Sequence, residues 1–147
     1  VEALLQGLAA TAPAMFLRTS WWAYPLVNVV HVLGLAALFG AILVHDLRLL
    51  GRAPVEAGAR DLAVPVAATG LAVAAVSGFL LFAVQPLDYA AMQVFWVKIA
   101  AVAAGVANAI AGEVFGTVRR RPRLVAAVSM LAWVTAIVAG RLIGYAA

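Results

Sequence analysis

Four apolar runs, at about 24–50, 62–84, 90–116 and 124–145, take up most of this 147-residue chain and leave only short polar connections. A helix needs roughly 20 mostly apolar residues to cross the hydrocarbon core of a bilayer, at about 1.5 Å of rise per residue. Each run meets that length. Hydrocarbon offers no water to backbone amides, so each run is expected to be helical, and short connections between four helices predict antiparallel neighbours. The expected fold class is therefore all-α, an integral membrane antiparallel four-helix bundle over 21–147, preceded by a short interfacial amphipathic helix over 1–20. Composition points the same way: 67% of the residues are hydrophobic and 11% charged, against about 25% charged in soluble domains.

Residues 1–20 combine Ala and Leu with Glu2, Gln6, Thr11 and Arg18 and contain Pro13, a pattern too polar to span and suited to lying at the interface. The early Glu2, the late Arg18 and the missing basic start argue against a cleavable signal peptide. Trp21, Trp22 and Tyr24 then supply the aromatic cluster expected at headgroup level, with Pro25 suited to a helix's first turn. Pro65 falls within the first turn expected for the second span, and Gln85, Pro86 and Asp88 close that span. Arg48, Arg52, Arg60, Arg119, Arg120, Arg121 and Arg123 flank the first and third connections, whereas Arg18 stands alone on the other side. Cationic loops stay in the cytoplasm, so both termini are expected on the non-cytoplasmic side of a bacterial inner membrane.

A pI near 10.4 would by itself suggest nucleic acid; here the cations sit at helix ends, where headgroups and topology account for them, and no nucleic-acid partner is expected. Cysteine is absent, which removes disulfides and thiolate metal sites. The chain has no glycine-rich phosphate loop, HExxH or Gly-x-Ser-x-Gly elbow, and no triad or carboxylate pair to support catalysis. No catalytic residue is assigned, and the protein is expected not to be an enzyme.

Ionisable groups inside spans cost about 2.5 to 3.5 kcal/mol each near mid-membrane, so each invites a reason. Counted from the non-cytoplasmic side, His31, Lys98 and Arg141 fall at similar depth on the first, third and fourth spans. Asn28 shares the face of His31, and Tyr145 that of Arg141. These residues predict an outward-opening cationic pocket walled by His31, Asn28, Lys98, Arg141, Tyr145 and Gln85, with Asn108 further along the Lys98 face. Two cations in low dielectric need compensation, so the expected ligand carries a carboxylate, a propionate or a lipid phosphate. Snorkelling of Lys98 and Arg141 toward headgroups is the simpler alternative, as is an imidazole of His31 bonded within the bundle. The face Lys98, Ala101, Gly105, Asn108 and Gly112 is nearly bare of bulk, and Gly34, Gly40, Gly70 and Gly78 lighten the first two spans, which favours close helix approach. Ser77 is expected to bond its preceding turn or a neighbouring helix. At the cytoplasmic end Asp46, Arg48, Asp61, Glu113 and Arg119 are expected to form ion pairs, with His45 nearby.

The stretches Tyr24-Pro25, His31-Val-Leu-Gly34, Gly40 and Asp46-Leu-Arg48-Leu-Leu-Gly51 carry a resemblance that continues through Tyr89-Ala-Ala, Lys98, Asn108 and Gly140-Arg141-Leu-Ile-Gly-Tyr145. On these residues the chain resembles a family of uncharacterised bacterial four-helix inner-membrane proteins. The resemblance implies the topology and the choice of residues, not a reaction. Family members often place a histidine near the end of the third helix, where this chain has Glu113. A remoter likeness links it to copper-resistance and b-type cytochrome membrane bundles, whose histidines hold haem.

Two functions follow as expectations. One is a non-catalytic membrane protein that binds a lipid-like or anionic ligand in the outer pocket, or serves as an accessory subunit of a membrane complex. The other is a b-type haem protein in electron transfer, with His31 as axial ligand and Lys98 and Arg141 facing propionates. The second axial ligand would then come from a homodimer sharing His31 or from a non-histidine residue, because His45 lies fourteen residues, about 21 Å, along the same helix. A proton or ion path from His31 through His45 to Glu113 ranks behind both.

Overall fold

The computed structural model describes residues 1–51 and 58–146, without the side chains of 58–61, Glu113 and Ala146. The described residues form helices and no strand: α1 Glu2–Ala9, α2 Ala12–Thr19, α3 Ala23–Leu49, α4 Gly58–Val84, α5 Pro86–Ala91, α6 Gln93–Val114, α7 Thr117–Arg120 and α8 Pro122–Ala146. Four of them are long and apolar enough to cross a bilayer, over Ala23–Leu49, Leu62–Val84, Gln93–Gly112 and Pro122–Tyr145. The protein is, by the length and composition of these helices, a multi-pass α-helical membrane protein.

Boundaries follow local chemistry. Pro13, Pro86 and Pro122 stand in the first turns of α2, α5 and α8, where a missing N–H costs nothing. Gly51 (φ 69°) ends α3 and Gly116 (φ 64°) separates α6 from α7, both in the left-handed region that favours glycine. Three details differ from the sequence expectation. The 1–20 segment is two short helices, broken at Ala10 and Thr11. The third run is divided by Met92, whose extended backbone (φ −83°, ψ 121°) sets α5 apart from α6. Pro65 is interior to α4 rather than in its first turn, because the helix begins earlier, at Gly58.

Two helix pairs make the bundle, α3 with α4 and α6 with α8, and α3 and α8 join the pairs. Lipid tails are as apolar as the side chains, so association in a bilayer rests on close packing and not on escape from water. Glycine supplies that closeness. A Cβ on Gly70 would lie 2.6 Å from the Leu38 amide nitrogen, and one on Gly34 would lie 2.9 Å from that of Ala74. The backbones of α3 and α4 therefore touch. In the second pair Trp133 of α8 lies over Gly105 of α6, and Asn108 Nδ2 donates to the Val125 carbonyl at 3.0 Å. Large apolar side chains such as Leu33, Val76 and Leu131 point outward, as lipid contact requires.

The end of the bundle carrying α1, α2 and α5 is called here the terminal end, and the opposite one the arginine end. At the terminal end α2 packs on α4 and α1 on α5, with Leu17 buried against Ala23 and Val84. Arg18 donates to the Val84 carbonyl, one of the oxygens a helix C-terminus leaves unpaired. Phe82 stacks on Phe95 at 5.2 Å between centroids, with Tyr89 6.2 Å from each. The Tyr89 and Tyr24 hydroxyls lie 3.4 Å apart.

Candidate functional site

His31 faces α4 near the terminal end. Its Nδ1 lies 3.1 Å from Ser77 Oγ, and the Ser77 hydroxyl donates to the Val73 carbonyl one turn back at 2.5 Å. A hydroxyl has one proton to give, so Ser77 Oγ accepts from His31 Nδ1–H. This network places a proton on Nδ1, and the Ala74 backbone is a further hydrogen-bond partner of the imidazole. The ring fits because position 78 is glycine: a Cβ there would come within 2.9 Å of His31 Cε1. Both polar partners expected for Ser77 are thus present, the preceding turn and the neighbouring helix.

Lys98 approaches from α6. Its side chain lies along Gly140 of α8, where a Cβ would stand 3.5 Å from both Cε and Nζ. It is partly buried, and its charge acts on His31. Among the described residues Lys98 has neither an acidic partner nor a hydrogen bond. Phe82 and Phe95, about one turn beyond Gly78 and Lys98 in sequence, place the aromatic stack between this level and the terminal end.

Other expected members of the pocket lie elsewhere. Arg141 is exposed, its guanidinium 4.9 Å above the Tyr145 ring and bonded to the Tyr145 hydroxyl at 3.1 Å. It follows Gly140 by one residue, about 100° around the helix, so the face that meets Lys98 is glycine's and not arginine's. Asn28 and Gln85 are exposed. Asn108 is committed to Val125, and the small-residue face running from Lys98 to Gly112 packs against α8 and the α7 turn rather than framing a slot. What assembles is His31 with Ser77, walled by Gly78, and separately Lys98 against Gly140, its charge reaching His31. Ser77 and those glycines carry no charge to mark them, so in sequence they read as ordinary packing.

At the arginine end Asp46 departs from expectation. It is 1% exposed with Ser129 of α8 close to its carboxyl, while its Oδ2 is buried without a partner. The arginines expected to neutralise it do not reach it: among the described residues neither Arg48 nor Arg119 makes an ion pair. The expectations for Asp61 and Glu113 concern side chains outside the described residues. No group of three or more His, Asp or Glu side chains suited to a metal ion occurs among the described residues.

Compared with known protein families, with curated proteins and with solved structures, the chain matches none. The fold defines its class by itself: a small multi-pass helical bundle, with a hydrogen-bonded imidazole on α3 and a partly buried lysine on α6.

Proposed function

We propose that the protein is a non-catalytic membrane protein that holds the acidic head of a lipid-like molecule at Lys98, beside His31. Its arginine end would lie in the cytoplasm of a bacterial cell. The observation that carries this reading is the Lys98 ammonium, lodged between α6 and α8 against Gly140 with no acidic partner among the described residues. A lone cation within a span is costly, and an acidic group that completes it makes a short, charge-assisted hydrogen bond. Glycine at 140 keeps the ammonium uncovered on one side. A carboxylate or phosphate head with an apolar tail satisfies both the charge and the lipid setting.

The test is titration of the full chain, in mild detergent, with a fluorescent long-chain fatty acid. Lys98→Met is expected to weaken binding by about tenfold or more, while Lys98→Arg, which keeps the charge, retains most of it. Equal binding by wild type and Lys98→Met would overturn the proposal.

Haem b fits the described residues incompletely. His31 offers one imidazole nitrogen, yet Gly78 packs against the ring edge, no second histidine stands at that depth, and Arg141 points away from Lys98. A Soret band abolished by His31→Ala would favour haem over the acidic ligand.

A further inference from the structure

At the arginine end, the close of α3, the α6–α7 turn and the start of α8 enclose a cleft of about 770 Å³. That volume lies within the roughly 300–1,000 Å³ of sites that take small molecules. Its lining has two characters. Arg48 of α3 and Arg119 of α7 bring guanidinium groups from different helices, and neither has an ion pair or hydrogen bond among the described residues. Gly112, Val114 and Phe115 supply an apolar wall, with Val114 69% and Phe115 70% exposed. α6, one of the helices long and apolar enough to cross a bilayer, ends at Val114, so this wall stands at the arginine end of a crossing helix.

We infer that this cleft is a second binding site, which takes the phosphate headgroup of an anionic phospholipid. Arginine forks match phosphate oxygens in pairs, and basic clefts between helices at the membrane boundary suit anionic headgroups. The apolar wall decides the source of the phosphate. A free phosphate ion gains nothing from Val114 and Phe115, whereas a phospholipid lays the top of its acyl chains along them while its headgroup meets Arg48 and Arg119. This site lies at the opposite end of the bundle from Lys98 and does not depend on the function proposed for that residue.

Native mass spectrometry of the full chain, in neutral detergent, with added phosphatidylglycerol, phosphatidylcholine or inorganic phosphate tests the inference. One phosphatidylglycerol is expected to bind about tenfold more tightly than phosphatidylcholine, and excess inorganic phosphate should not displace it. Arg48→Gln with Arg119→Gln should remove the preference. Arg120→Gln with Arg123→Gln, which deletes as much charge from positions outside the cleft lining, should leave affinity within about twofold. The inference fails if both double variants weaken binding alike, if the two lipids bind equally, or if phosphate competes. Matching thermal transitions for the two double variants would show that a loss in the first is not a loss of folding.

Discussion

Ser77 ties its own helix to the imidazole of α3 through a single oxygen. Ser77→Ala removes the acceptor of His31 Nδ1–H and should cost about 0.5–1.5 kcal/mol in a detergent unfolding experiment, the usual net worth of one hydrogen bond. Gly78→Ala acts differently. The new methyl meets the ring at 2.9 Å, so the imidazole must swing aside, and the histidine side-chain resonances in NMR should shift as far as they do in Ser77→Ala. Tyr89 gives a pH prediction. Burial, with the Tyr24 hydroxyl beside it, pushes its phenol well above the ordinary value of 10.0. Unfolding lets the phenol ionise at its ordinary value, so stability should be full below pH 10.0 and fall as pH rises past it. Tyr89→Phe should flatten that alkaline loss in a thermal-stability profile. Order along the helix axis was legible for these residues in the sequence, because each residue adds a fixed rise. Azimuth was not: the count that set His31, Lys98 and Arg141 at one level could not say that Gly140, and not Arg141, faces Lys98.

Helix pairs turn on where backbones can touch. At Gly34 and Gly70 the atoms a Cβ would strike are mainly backbone of the facing helix, which cannot swing away as a side chain can. Gly34→Ala and Gly70→Ala should each destabilise the bundle by about 1–3 kcal/mol, the range for overpacking a filled interior. Gly40, where an added methyl would find nothing within 4 Å, should accept alanine without loss. Hydropathy made the four long helices and their order legible, since apolar length is read directly from composition. It did not reveal the break at Met92, where an apolar residue takes extended backbone, nor the early start of α4, where Pro65 suggested a first turn. It marked Gly34, Gly40, Gly70 and Gly78 alike, because a glycine's neighbour across the interface lies in another part of the chain. For Asp46 the nearby arginines suggested ion pairs, while packing at the α3–α8 seam carried the carboxyl inward to Ser129.

For the molecule as a whole, orientation and occupancy are the remaining tests. The chain contains no cysteine, so single cysteines report topology cleanly. Leu4→Cys should react with a membrane-impermeant thiol reagent from the periplasmic side of intact cells, and Arg120→Cys only after the cells are opened; the reverse pattern would invert the orientation proposed from the arginines. Occupancy bears on the central claim, that an acidic head sits against Lys98. The most direct measurement is photo-crosslinking of the membrane-embedded protein with a fatty acid bearing a diazirine next to its carboxyl group, followed by mapping of the labelled residues. Labels concentrated on α6 around Lys98 and on α8 around Gly140, and lost in Lys98→Met, are the predicted result. Labels spread evenly over the lipid-facing side chains, and unchanged in Lys98→Met, would contradict it.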